Sequence, residues 1–297
     1  MTKLHCIDHF LLNNHSQTNQ LDKTIIQKEA YIRPLLFCLL FVIFCSNINA
    51  HEFKVAIFDT GFCRFQKKTT SLIEVEPTWD LFKDKFVNYD CTEKLLESPK
   101  FHGEKVLQNL LKRISTKNKI HFYPIVIFDE SGKQSASLWI KANEYLKKHP
   151  MDLVVSAIGY PLKQDENNQL VLKILPRILE SVWIVSAPRI GPGLNKDDNV
   201  YPQYLNPIEN LFMAGDYFAG FKKDEALLYV EDIDFYEEDN PILSEHFNGT
   251  SYTVGIVAAK IINTCSNQKN SKLIIKCIKK HQAVNHLFLY FREHSGN

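Results

Sequence analysis

Three short strings in this chain of 297 residues each set one side chain capable of catalysis within two residues of a glycine. They are Val55-Ala56-Ile57-Phe58-Asp59-Thr60-Gly61, Phe101-His102-Gly103 and Asn248-Gly249-Thr250-Ser251-Tyr252. A carboxylate, an imidazole and a hydroxyl are what nucleophilic acyl transfer requires. A serine hydroxyl is a weak nucleophile until an adjacent imidazole takes its proton. A carboxylate on the far ring nitrogen then holds the tautomer and stabilises the imidazolium. Each string alone has a plain structural explanation. Asp-Thr-Gly suits any turn after a strand, His102 is one of 11 histidines, and Gly-Thr-Ser before a helix suits an N-cap. It is the conjunction of order, spacing and surroundings that singles out Asp59, His102 and Ser251.

The elements that must position them follow from hydrophobic periodicity. Lys54–Phe58 is a short apolar run ending at the aspartate, which reads as a buried strand with a polar tip. Val106, Leu107, Leu110, Leu111 and Ile114 recur at helical spacing after His102. Further strands are expected at Ile120–Phe128, Asp152–Ile158, Val182–Ser186, Asn210–Ala214 and Leu227–Val230. Helices are expected at Ser135–Lys147, Leu175–Leu179 and from Ser251 onward. Alternating short apolar strands and helices predict an α/β fold: a mostly parallel sheet with helices on both faces, in three layers. In such sheets ligands gather at the carboxyl ends of the strands, which is where Asp59 falls. His102 and Ser251 fall at helix starts, where free amides and the macrodipole can serve a site.

From Lys54 to about Asn263 the chain resembles the subtilisin-like serine peptidases. The likeness is carried by Val55–Gly61, His102-Gly103, the strand Asp152–Gly159 and the stretch Asn248–Ala259. It implies Asp59 as orienting carboxylate, His102 as general base and acid, and Ser251 as nucleophile of a serine endopeptidase. It implies also that backbone around Ser156 and Gly159 binds an extended peptide as an added strand. The chain departs from the family pattern at several points. Arg189 stands near the place of the usual oxyanion asparagine and is the expected oxyanion donor. Gly255 replaces a proline four residues past the serine. Glu104 replaces a small residue after His-Gly, and is read as first-turn dipole chemistry. The alternative implied by the missing asparagine is a catalytically impaired domain that binds peptides or proteins. An aspartic peptidase built on Asp59-Thr60-Gly61 would need a second such string, and the chain has none.

Residues 1–50 read as a leader. An uncharged apolar run, 35–45, follows Arg33 and is short of the roughly 20 residues that span a bilayer. Ile48-Asn49-Ala50 then offers a cleavage point, leaving 51–297 as a compact peptidase domain, exported to a periplasmic or extracellular space with no stable membrane span. The net charge of +1 gives no attraction to nucleic acid, so a protein or peptide is the expected partner. Cys63, Cys91, Cys265 and Cys277 lie beyond the leader. They permit three pairings, among which the sequence does not choose, or four free thiols. No metal ligand set and no cofactor are assigned. The acidic run Glu231–Asp239 reads as a solvated loop, with Ca²⁺ binding as the alternative. The basic tail Lys269–His281 reads as a terminal helix packed on the core.

Overall fold

The computed structural model describes residues 51–63, 71–91, 98–162, 169–170, 172–173, 180–188, 194, 198–206, 208–218, 222–223, 235–238 and 249–284. The apolar run after His51 forms β1 (Phe53–Asp59), every residue of it buried but Lys54. Three short strands follow: β2 (Ile73–Val75), β3 (Thr78–Asp80) and β4 (Lys85–Val87). A single 3-10 turn, Pro99–Phe101, leads into α1 (His102–Leu111) and then β5 (Ile120–Val126). Helix α2 (Ala136–Lys148) starts on Ser135, whose side chain accepts from the Leu138 amide and caps it. There follow β6 (Leu153–Ser156), β7 (Tyr160–Pro161), β8 (Val182–Ser186), β9 (Val200–Tyr201) and β10 (Leu211–Phe218). The described chain ends with β11 (Lys222–Lys223), β12 (Phe235–Glu238), α3 (Thr250–Cys265) and α4 (Ser271–Val284).

The strands make one large sheet in the order β11-β10-β8-β6-β1-β5-β3-β4, with β2 on β5 and β12 on β10. β1, β5, β6, β8 and β10 are parallel neighbours. Side-chain alternation along β1 divides the core between two faces. Phe53, Val55 and Ile57 point to the layer of α1, α3 and α4, where Val106, Leu110, Val257 and Ile274 are buried. Ala56 and Phe58 point to the layer of α2, against Trp139 and Trp183. The fold is therefore the expected three layers, and the central strands, covered on both sides, are apolar throughout.

Several segments differ from expectation. β2, β3, β4, β7 and β9 hold two or three residues each, too few for a period to show. Phe235–Glu238, within the acidic run, is a strand parallel to β10 instead of a loop. The expected strand Leu227–Val230, the helix Leu175–Leu179 and the leader 1–50 lie outside the described residues. Among the described residues no helix is long and apolar enough to cross a membrane. The cysteines pair Cys63–Cys91 and Cys265–Cys277. The second bridge ties α4 to α3, and Ile274 and Ile278 complete the docking of the basic tail on the core. Loops this short are stabilised by about 3 kcal/mol per bridge in the chain-entropy account.

Candidate active site

Asp59 ends β1 and is fully buried. Its Oδ1 accepts from the Thr60 amide at 2.7 Å and meets Nδ1 of His102 at 2.8 Å. Its Oδ2 is buried with no hydrogen-bond partner. The backbone around this pair explains why glycine recurs there. The Thr60 hydroxyl accepts from the Gly103 amide at 3.1 Å, satisfying one of the free donors of the first turn of α1. The Gly61 amide donates to the Lys100 carbonyl at 2.7 Å. A Cβ on Gly103 would lie 2.7 Å from the Phe62 ring and 2.8 Å from the Asp59 Cβ. The Asp-Thr-Gly turn and the His-Gly helix start therefore interlock, and the close approach is what brings carboxylate to imidazole.

Glu104 has a larger part than its first-turn position suggests. It is buried, accepting from the Cys63 amide at 2.9 Å and from Gln108 at 2.9 Å. It holds the turn after Gly61 onto α1, beside the Cys63–Cys91 bridge. Burial raises its carboxyl above the usual range, with the two hydrogen bonds opposing. Nothing in the linear sequence separates a buried first-turn glutamate from an exposed one.

His102 is a quarter exposed at its side chain. Burial opposes its charged form, but the charge and hydrogen bond of Asp59 outweigh burial and a weak repulsion from Lys105. Its pKa is raised above 6.5. The ring must be neutral to accept a proton, so a reaction that uses it as base has an acid limb in kcat/KM with a midpoint above 6.5. The sign for stability is opposite. A raised pKa contributes stability that is complete below the unfolded value near 6.5 and is lost as pH rises through the folded value. Activity is expected to rise over the pH interval in which the thermal midpoint falls, and His102→Gln removes the second trend. Parallel kinetic and thermal scans across that interval check this.

Ser251 is the second residue of α3. Gly249, ahead of it, has φ 75° and ψ −164°, backbone that is essentially restricted to glycine. That turn sets Ser251 in the first turn of the helix, whose amides have no intrahelical acceptor. Its Oγ donates to the carbonyl of Ala157 at 3.2 Å. The nucleophile candidate thus lies against the end of β6, the segment expected to bind peptide. Helices α1 and α3, which start with His102 and next to Ser251, are in direct contact. Asn109 Nδ2 donates to the Tyr252 carbonyl at 2.7 Å, and a Cβ on Gly255 would lie 2.7 Å from that nitrogen. Arg113 closes the contact, bonding the Tyr252 hydroxyl at 2.7 Å. Gly255, a departure from the resemblance, is what admits Asn109.

At the end of β6 the chain satisfies its own carbonyls. Ser156 is buried and its Oγ donates to Ile158 O. Gln203 Nε2 donates to Ile158 O at 3.2 Å and to Ser186 O at 2.9 Å, while Gln134 Nε2 donates to Gly159 O at 3.1 Å. Gly159 itself lies against Val200 and Gln203. With Ser251 on Ala157, three successive carbonyls already have donors. Neither glutamine carried a signal in the sequence, because each acts from a distant segment. Arg189 and Asn248 lie outside the described residues.

A cavity of about 520 Å³ opens on the β5 side of Asp59, walled by Thr60, Gly61, Lys100 and Phe101, with Phe82 and Phe128 also lining it.

No protein-family model matches the sequence, and no curated protein matches it. Solved structures do. A lanthipeptide protease is similar at TM-score 0.58 and 14% identity, over 77% of this chain and 79% of its own. A cold adapted subtilisin-like serine proteinase is similar at TM-score 0.54 and 12% identity, over 79% of this chain and 84% of its own. The chain has the fold of subtilisin-like proteases.

Proposed function

We propose that the protein is a serine endopeptidase that cleaves peptide bonds through Asp59, His102 and Ser251. The observation that carries this is the buried Asp59 carboxylate bonded to Nδ1 of His102, on a fold shared with subtilisin-like proteases. Nδ1 engaged by the carboxylate leaves Nε2 as the nitrogen that takes the Ser251 proton. The hydroxyl turns from Ala157 O toward that nitrogen as it attacks the scissile carbonyl. An acyl-enzyme forms on Ser251, the leaving amine takes the proton from His102, and water, deprotonated by the same ring, releases the acid. The Ser251 amide, in the first turn of α3, is one donor for the oxyanion, and Arg189 is the proposed second.

A peptide that lies along 157–159 competes with Gln134 and Gln203 for the carbonyls or pairs through the amides of that segment. The cavity beside Thr60, lined by Asp80, Lys83, Asp129 and Glu130 as well as by aromatic rings, is the pocket assigned to a substrate side chain. Two disulfides suit an oxidising compartment, in keeping with an exported protein whose leader is 1–50.

A fluorophosphonate probe tests the proposal. Native protein is expected to be labelled on the peptide that contains Ser251, and heat-denatured protein to remain unlabelled. Native, folded protein that stays unlabelled refutes it and leaves a binding domain on a peptidase fold.

A further inference from the structure

At the amino-terminal end of the central strands, about 17 Å from Asp59 by strand rise, three carboxylates surround one buried imidazole. His121 is the second residue of β5. It is in register with Glu74 of β2 on one side and Lys54 of β1 on the other, so all three side chains share a sheet face. Glu76 and Glu52 lie two residues beyond those partners and face the same way. His121 Nδ1 is 3.1 Å from Glu76 Oε1 and 3.7 Å from Glu74 Oε2. Its Nε2 is 3.2 Å from Glu52 Oε2. The ring is nine-tenths buried, and its Nε2 has no hydrogen-bond partner. The approach to Glu52 is close but lacks hydrogen-bond alignment.

We infer that Glu74, Glu76 and His121 bind a divalent first-row transition metal, zinc above all, with Glu52 orienting the histidine. Four-coordinate zinc with bonds of 2.0–2.1 Å keeps its donor atoms about 3.3 Å apart, and the two Nδ1–carboxylate distances bracket that spacing. A neutral imidazole has one proton, so it cannot serve carboxylates at both nitrogens. A metal on Nδ1 resolves this. The Nδ1 lone pair goes to the ion, and the Nε2 proton goes to Glu52, the carboxylate–histidine–metal relay common in zinc proteins. Lys119 bonds Glu52 Oε1 at 2.9 Å, which steadies that acceptor, and it must release Glu74 Oε2, now 3.6 Å away. Glu74 and Glu76 are about half and a third exposed, so an ion enters from solvent and water completes the coordination. The nitrogen donor disfavours Ca²⁺ and Mg²⁺, which take oxygen ligands. The ligands are brought together by strand register across 45 residues, so no linear motif announces them.

Calorimetric titration of the untagged full chain with ZnCl₂, paired with Co²⁺ absorption, tests the site. One equivalent is expected to bind, and Co²⁺ is expected to give the intense visible bands of a four-coordinate ion. Glu76→Gln and His121→Gln should abolish both signals, and Glu52→Gln should weaken binding about 10–100-fold. Glu76 is at the surface, so its variant keeps the test valid if His121→Gln fails to fold. Binding that is unchanged in Glu76→Gln, or a folded protein that binds neither ion, overturns the site and leaves an ion-pair network only.

Discussion

Asp59→Asn is expected to lower kcat on a peptide substrate by about 10⁴, the loss that follows when a triad carboxylate becomes an amide. The geometry says why. Oδ1 now accepts from both the Thr60 amide and Nδ1 of His102. If the asparagine oxygen keeps the Thr60 bond and stays toward the ring, its amino group occupies the partnerless Oδ2 position and buries donors without acceptors. If the amide flips, its N–H₂ faces Nδ1 and forces the ring proton onto Nε2, where it blocks transfer from Ser251. The unsatisfied donors of the first orientation favour the flip, and in the flipped form the base is lost while the outline of the side chain is kept. Circular dichroism should be unchanged, and single-turnover kinetics should place the loss in acylation. A fall of less than tenfold would remove Asp59 from the proposed mechanism.

Gly103→Ala is expected to cost stability and activity together. The added methyl meets the Phe62 ring and the Asp59 Cβ, both well inside contact distance. Overpacking of this kind costs about 1–3 kcal/mol, and each kcal/mol lowers the thermal midpoint by roughly 2–4 °C in a domain of this size. The same push separates Asp59 from His102, and a displacement near 1 Å costs about 10² in rate. Denaturation scans and kcat/KM on the same preparation read both effects. A variant that is less stable yet fully active would show that the interlock of the two turns serves folding alone.

What could be read in the sequence was what a single residue or a regular period announces. Asp59, His102 and Ser251 stood out because each is within two residues of a glycine, and the structure gives all three glycines a cause in close approach or in a positive φ. The central strands were legible because burial on both faces makes them apolar without interruption. Strands of two or three residues carry no period, which hid β2, β3 and β4 and, with β2, the position of Glu74. Pairing within an acidic run hid β12. Glu104, Gln134, Gln203 and Asn109 escaped for a different reason. Each is an ordinary polar residue whose role depends on which distant backbone atom folding brings to it. The two disulfides were equally out of reach, since four cysteines fit three pairings.

The contact between α1 and α3 carries a consequence for the rate of the proposed reaction. One helix begins with the imidazole and the other carries the hydroxyl at its second residue, and they touch through Asn109, Tyr252 and the bare face of Gly255. The pair works as a caliper. Its jaws are at the helix starts, and its setting screw is about one turn further along α3 and about two along α1. In the proposed mechanism, the gap across which a proton must pass is set by the bulk of residues that take no part in the chemistry. A lineage could retune the proposed activity there without altering any group assigned to the peptide.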